Sequence, residues 1–418
     1  MASPVNPPRG MRDFLPAEKA HRERVLSVIR GSFSAHGFDE IETPVMEDSS
    51  RLHAGLGGDN EKLAYAVMKR GLTREDLLTA TDPLELADLG LRFDLTVPLA
   101  RFYASHRGEL PTVFRAIQIA PVWRAERPQK GRFRQFVQCD IDILGEPGML
   151  AEIELITATA ATLAALGLEG CRIRINDRRV LASLLAHFGV PAESYERALI
   201  AIDKEDKIGV DGVVNELTEL GLGDAAGIGA ALRTAADLPD DGWSLAASPA
   251  WLNVEAFERL REIRDAVGDT ARLIFAPNLV RGMGYYTGPI FEIAHPSASY
   301  SLGGGGRYDG MIGRFLGSDV PAAGFSLGFE RFVDLIDFPA DATMDAVALV
   351  HEPGTPPAAL VALQSALVSQ GRRVRLERKP KNIAPLLEQL ATAGFSSYAL
   401  VTENSTLEGL EFRTLSRE

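Results

Sequence analysis

The chain has 418 residues, 46% hydrophobic and 24% charged, a composition that excludes global disorder and fibrous architecture and predicts two or three packed domains. Its 57 acidic against 44 basic side chains give a formal charge of −13, which excludes nucleic-acid binding except where basic residues gather locally. Only Cys139 and Cys171 are present, which excludes a disulfide framework and predicts a reducing compartment.

The start, with prolines before position 9 and no apolar run, predicts neither a signal nor a transit peptide, so a cytoplasmic protein is expected. In chain order, Val25, Ile29 and Phe33 recur at helical spacing between Ala17 and His36, and Gly37 supplies the stop of an amphipathic helix. Phe38 to Thr43 alternates and closes on Pro44, the pattern of a strand. β-Branched and aromatic residues crowd Leu91 to Gly145, and Pro121 to Leu144 is long enough for a hairpin turning near Arg127-Pro128-Gln129-Lys130-Gly131. Leu150 to Leu166 predicts a buried helix with Leu150, Ile153, Ile156, Leu163 and Leu166 on one face. The stretch Ile156 to Leu168 is too short for the ~18 apolar residues that span a bilayer, so no membrane partner is expected.

From about 178 to 272 helical periodicities dominate, predicting a mostly helical insertion that interrupts a first domain at 1–335. Strand signals resume at Pro289 to His295 and Ser299 to Leu302, and a helix carrying Phe329, Phe332, Leu335 and Ile336 is expected from about Gly328. Beyond Pro339 the order is strand, helix, strand, helix, strand over Ala346–Val350, Pro357–Gln370, Val374–Glu377, Ile383–Ala393 and Tyr398–Val401. That alternation predicts a separate α/β domain with a parallel sheet at 343–418.

The densest group of charges lies in Pro121 to Phe136, where Arg124, Arg127, Lys130, Arg132 and Arg134 stand against the single acid Glu126. Clustered guanidiniums suit polyphosphate, because each offers bidentate donors and keeps its charge; a solvated basic turn is the plainer alternative. Arg124 and Glu126, two apart on a strand, would share a face and set a phosphate donor beside an acceptor for an amino group. Asp94 between Phe93 and Leu95, and Arg281 after Leu279 and Val280, put charges in apolar text, where each needs a partner or a ligand. Gly303 to Gly306 permit a linker or close approach to a ligand, and the run lacks the Lys-Ser/Thr of a Walker A loop. Gly324-Phe325-Ser326-Leu327-Gly328 has the G-x-S-x-G form with Asp334 and His351 after it, but the large parallel sheet that form requires is not expected. The seven histidines are scattered and no C-x-x-C occurs, so no metal ligand is assigned to protein side chains.

RAERPQKGRFRQFVQCDIDILG, from Arg124 to Gly145, resembles motif 2 of class II aminoacyl-tRNA synthetases in its histidyl-tRNA synthetase form. Gly37 to Pro44 resembles motif 1, whose proline lies at the dimer interface, and Gly324 to Arg331 resembles motif 3. LVRGMGYYTGPIFE (Leu279 to Glu292) and GGGGRYDG (Gly303 to Gly310) resemble segments specific to the histidine enzymes. The resemblance implies an α+β catalytic domain with a mostly antiparallel sheet, a small C-terminal α/β domain of the anticodon-binding kind, and a cytoplasmic homodimer that joins histidine to tRNA(His) using ATP and Mg²⁺. It implies Arg124 on the α-phosphate and carboxylate, Glu126 on the adenine amino group, and Arg132 and Arg331 on the outer phosphates. It further implies Asp94, Thr96, Gln138 and Asp142 in the amino-acid pocket, Arg281 as the distinctive catalytic arginine, and Tyr285, Tyr286 and Tyr308 around the imidazole.

In the last domain the basic cluster Arg372, Arg373, Arg375, Arg378, Lys379 and Lys381 is then expected to meet tRNA phosphate, or else to be the solubilised edge of a sheet. The sequence departs from the family's pattern at Gly284, where most relatives have Asp, at Thr402-Glu403, and in the chain's ending soon after Leu415. Two other functions fit part of the pattern: a non-catalytic histidine-binding regulatory subunit of ATP phosphoribosyltransferase, and a paralogue adenylating histidine for another acceptor.

Overall fold

The computed structural model describes residues 5–52, 63–128, 131–236, 240–244, 249–282, 286–338 and 345–415. The chain divides into two compact units, one of Met1–Arg12 with Val25–Ile336 and the other of Asp13–Arg24 with Asp337–Glu418.

Helix α1 (Pro16–Ala35) buries Val25, Ile29 and Phe33, and Gly37, with φ 83°, turns the chain into the short strand β1 (Asp39–Glu40). The expected strand to Thr43 is cut short for a definite reason. Ile41 N still bonds Ile117 O at 3.0 Å, but the buried Arg92 guanidinium takes the Thr43 carbonyl at 2.8 Å and that of Pro44 at 3.3 Å, so the chain leaves the sheet without stranding its acceptors. β2 (Met46–Asp48), β3 (Tyr65–Met68) and β4 (Ala87–Leu91) make a small sheet ordered β2-β4-β3, with α2 (Ser49–Leu52) and α3 (Arg74–Thr79) between its strands. Helix α4 (Thr96–His106) then leads to β5 (Phe114–Trp123) and β6 (Gln135–Leu144), which pair without interruption from Phe114 opposite Leu144 to Trp123 opposite Gln135.

Helix α5 (Leu150–Ala165) packs near the middle of the large sheet and buries Leu155, Ile156 and Leu163, while Leu150 is exposed: the buried face is turned toward Ala151, Ala158, Thr159 and Thr162. β7 (Arg172–Asp177) is followed by α6 (Arg178–His187), α7 (Tyr195–Ile202), α8 (Glu205–Glu219), α9 (Ala225–Ala236) and α10 (Val254–Val267), then β8 (Leu273–Phe275). Asp177 caps α6 through Arg179 N, and Asn253 caps α10 through Ala256 N, each supplying an acceptor to a helix end that lacks one. β9 (Pro289–Ala294) comes next, and then β10 (Gly303–Arg307), made of the glycine run itself; the expected strand at Ser299–Leu302 lies one segment too early. After α11 (Gly310–Leu316) and β11 (Ala322–Gly328), α12 (Phe329–Phe332) lasts only four residues before a 3-10 turn, with Phe329 and Phe332 buried and Leu335 exposed.

These strands form one eight-stranded sheet ordered β1-β5-β6-β11-β10-β9-β7-β8, whose outermost pairs are parallel and whose inner pairs are all antiparallel. Alternation makes β6 two-faced. Cys139, Ile141 and Ile143 are fully buried on one side, where each aliphatic side chain withdrawn from water contributes ~1.5–3 kcal/mol. Gln138, Asp140 and Asp142 occupy the other side, so a row of polar groups enters the middle of the sheet.

In the second unit β12 (Ala346–His351), β13 (Arg373–Arg378), β14 (Ser397–Val401) and β15 (Arg413–Thr414) form a sheet ordered β13-β12-β14-β15, in which β12 runs parallel to both neighbours. Val347 and Leu349 pack under α13 (Pro357–Ser369), while Ala348 and Val350 pack under α14 (Ala384–Thr392), so both faces of β12 are covered. The basic β13 is an edge strand, and the charges that flank it are locally engaged: Arg372 pairs with Asp345 at 2.9 Å and Lys379 with Glu352 at 2.7 Å.

Candidate active site

A cleft of about 350 Å³ opens on the polar side of β6, floored by β6, β10 and β11 and bordered by the segment that follows β5. Arg124 and Glu126 lie just beyond the end of β5 rather than on it, yet both border the cleft. Arg124 is fixed there: its Nε donates to Phe93 O at 2.9 Å, its backbone N to Arg134 O at 2.9 Å, and its guanidinium lies 5.1 Å from the Phe136 ring centroid. Arg132 sits 3.6 Å from Glu126, and Arg331 donates to the Ser301 carbonyl at 2.7 Å. Arg281 lies in an irregular segment and reaches Glu292 at 2.6 Å and Ser301 Oγ at 3.4 Å. Burial draws the Arg331 guanidinium down to about 10, and Arg281, Arg132 and Arg124 press in the same direction. Four cations that repel one another across one cleft mark a site for an anion of several charges.

The opposite character appears at the β6 floor. Gln138 Nε2 donates to Ser326 Oγ at 3.1 Å and Asp140 Oδ2 at 3.3 Å, while Gln138 Oε1 and Asp140 Oδ1 are buried with no hydrogen-bond donor among the described residues. Buried acceptors are rarely left so, and two of them facing a cleft suit a ligand rich in N–H groups. Burial raises the Asp140 carboxyl well above the carboxylate range, with Asp142 adding to the effect. It carries Asp142 up to about 7, against the Tyr308 hydroxyl bond, and Asp94 up to about 6, against the Val97 N–H and Arg124. Buried carboxyls that repel one another keep their protons to higher pH than isolated ones, and a bound cation would favour their ionised forms.

Asp94, Thr96, Arg124, Glu126, Arg132, Gln138, Arg281, Tyr286 and Arg331 all line this one cleft. Asp142 and Tyr308 stand behind the lining, bonded to each other, with Tyr308 packed in the apolar core. Tyr285, Gly284 and Lys130 lie outside the described residues. Sequence reasoning gave no role to Asp140, Glu330 and Glu292, which also border the site. The period of two from Gln138 through Asp140 to Asp142 was available as a signal; nothing local marks Glu292 as the partner of Arg281. Ser326, weighed as a hydrolase nucleophile, accepts a hydrogen bond from Gln138 Nε2 at 3.1 Å instead. Glu330 accepts from Arg12 at 2.7 Å and from Val137 N at 3.3 Å, which ties the N-terminal segment to the stem of the basic loop.

A family model described as histidyl-tRNA synthetase matches residues 10–332. The chain is 60% identical over 429 residues to the histidine–tRNA ligase of Leifsonia xyli subsp. xyli (strain CTCB07), with 100% of both chains covered. Among solved structures it resembles histidyl-tRNA synthetase from Nostoc sp. PCC 7120, at TM-score 0.75 and 24% identity, covering 96% of this chain and 92% of that one. It also resembles an ATP phosphoribosyltransferase regulatory subunit/histidyl-tRNA synthetase from Bacillus halodurans C, at TM-score 0.74 and 19% identity, covering 96% and 100%. The fold alone therefore does not separate the two functions; the identity over the full length to a ligase does.

Proposed function

Because the chain belongs to the histidyl-tRNA synthetase family, we propose that it is a histidine–tRNA ligase, forming histidyl-adenylate from histidine and ATP and passing the histidyl group to the 3′ end of tRNA(His). The observation that carries this reading is one cleft lined both by several guanidiniums and by buried acceptors that have no donor among the described residues. Histidine and ATP together need both: the nucleotide brings phosphates, and the amino acid brings an ammonium and an imidazole N–H.

In the first step the histidine carboxylate attacks the α-phosphorus and pyrophosphate leaves. Two anions must approach, so Arg124 and Arg281 are assigned to span the carboxylate and the α-phosphate, and Arg132 and Arg331 to receive the departing charge. Glu126 is assigned to the adenine amino group. Asp94 and Thr96 are assigned to the ammonium, Gln138 with Asp142 behind it to the pocket's polar wall, and Tyr286 and Tyr308 to the imidazole side. A site whose buried polar groups match histidine rejects apolar amino acids by ~10⁴ or more, because those groups would go unpaired. In the second step a terminal hydroxyl of tRNA attacks the activated carbonyl, and AMP leaves. No protein nucleophile is required in either step.

The described residues gather no cluster of three His, Cys, Asp or Glu fit for a metal ion. Mg²⁺ bound with the nucleotide would supply charge neutralisation at the leaving pyrophosphate, beside Arg132 and Arg331. Homodimer formation is part of the proposal, supported by exposed Val45 and Met46 beside Pro44 on the segment resembling motif 1. Contact of the edge strand β13 with tRNA and a cytoplasmic location complete it; no helix of the described residues is long and apolar enough to cross a membrane.

Histidine-dependent exchange of pyrophosphate into ATP tests the reading. The protein should catalyse it, Arg281→Ala should lower it by ~10²–10³ as loss of a charge-stabilising donor does, and tRNA charging should follow. A folded protein that binds histidine but performs no exchange would favour the regulatory function.

A further inference from the structure

Arg281 is held by a carboxylate, and that carboxylate is shared. Glu292 Oε2 accepts from Arg281 at 2.6 Å, while Glu292 Oε1 accepts from Arg174 Nη1 at 3.2 Å. Arg174 and Glu292 stand directly opposite each other on β7 and β9. The other arm of Arg174, Nη2, donates at 3.2 Å to Oδ1 of Asn278, three residues before Arg281 on the same irregular segment. Two positions along β7, the fully buried Asn176 amide bonds the Pro277 and Leu279 carbonyls at 3.1 Å each. One face of β7 thus grips both the chain that carries Arg281 and the acid that faces it.

Charge gives the arrangement a purpose. Arg281 with Glu292 alone is a neutral pair, poorly suited to stabilising charge as it develops on a phosphoryl group. With Arg174 the carboxylate is divided between two guanidiniums, so Glu292 neutralises Arg281 less completely; Asp203, Glu205 and Asp206 border the same group. Arg174 and Glu292 are mostly withdrawn from solvent, with side chains 19% and 16% exposed, so water does little to screen the pairing. The third contact of Arg174, to Asp206 at 3.4 Å, reaches a side chain 72% exposed and contributes little.

We propose that Arg174 is a positioning residue of the adenylation reaction, setting the direction of Arg281 through Glu292 and Asn278. The proposal rests on the ligase reading, in which Arg281 acts on the carboxylate and α-phosphate. Its test is the same exchange assay on Arg174→Met and Arg174→Lys. Arg174→Met should lower kcat on the order of tenfold to a hundredfold, the penalty typical of a displaced catalytic group, with KM for ATP within about twofold of the parent. Arg174→Lys, which keeps a cation against Glu292 but not the fork, should recover a large part of the loss. A folded Arg174→Met protein with unchanged kcat overturns the proposal, and so does a Lys variant no better than Met. If Arg174→Met does not fold, Asn278→Ala removes the second arm with β7 intact and should lower kcat about two- to fivefold, since one hydrogen bond of ~0.5–1 kcal/mol is lost; no change there overturns it as well. A parent protein without histidine-dependent exchange refutes the ligase reading itself, whereas an active parent with an equally active Met variant refutes only the role of Arg174.

Discussion

Replacing Asp94 by Asn tests the cleft's electrostatics and its proposed ligand in one variant. The Asp94 carboxyl accepts a hydrogen bond from Val97 N at 3.2 Å, and an amide oxygen can accept the same bond, so the start of α4 should be preserved. Burial carries the carboxyl from 3.8 up to about 6. An acid with a higher pKa folded than unfolded binds more protons in the folded state, so its ionisation opposes folding. That opposition is absent below the unfolded pKa, grows between the two values and is complete above the folded one. The rise to about 6 corresponds to ~3 kcal/mol at pH 8 and to about half of that at pH 5. Asp94→Asn removes this opposition, and it also relieves the carboxyls of Asp140 and Asp142, both of which Asp94 pushes upward.

The variant should therefore be more stable than the parent by ~1–3 kcal/mol at pH 8, by less at pH 5, and by almost nothing near pH 4. Its KM for histidine should rise about ten- to a hundredfold, because a hydrogen bond to a charged group contributes ~1.5–3 kcal/mol. Urea denaturation at pH 5 and pH 8 measures the first quantity and pyrophosphate exchange the second. A stability gain that does not grow with pH, or a loss at pH 8, refutes the electrostatic argument. A stabilised protein with unaltered KM for histidine leaves that argument standing and removes Asp94 from the ammonium.

Two further outcomes are expected. Gly304→Ala puts a Cβ 2.5 Å from both Arg281 Cζ and the Phe291 carbonyl, so exchange should fall about a hundredfold and stability by ~1–3 kcal/mol; thermal melting and the exchange assay check both, and near-parental activity contradicts it. Arg307→Met strands the fully buried Glu152, which Arg307 grips at 2.6 and 2.7 Å, and should lower stability by ~3–5 kcal/mol in urea titration.

Much of the fold was legible because periodicity reports burial. The opening helix, the β5–β6 hairpin, the helical insertion and the α/β alternation of the last unit follow from apolar spacing and from Gly and Pro at the ends. The miss after β1 has a long-range cause: backbone groups bonded by a side chain far away in sequence. Arg92 draws the chain after β1 off the sheet edge from 49 residues away, an effect no local pattern carries. In the site, family likeness pointed to residues that do converge on one cleft, yet Asp140 needed only the alternation of β6 to be seen, and Glu292 needed the register of β9 with β7 and β10.

The four-glycine strand shows why such a register is hard to anticipate. Patterning infers a strand from what its side chains bury, and β10 has almost none to bury, so the run resembles a linker although every residue of it is buried in the middle of an eight-stranded sheet. Its contribution is vacated volume. Gly304 stands opposite Glu292, and the space a Cβ would take is filled by the Arg281 guanidinium, which thereby lies across the strand to reach that carboxylate. A larger residue there would have to displace either the arginine or the neighbouring backbone, so the glycine, the arginine and the glutamate form one unit. Substitutions within that unit should then be non-additive: once Gly304→Ala has moved Arg281, loss of Arg174 should lower exchange by much less than it does in the parent.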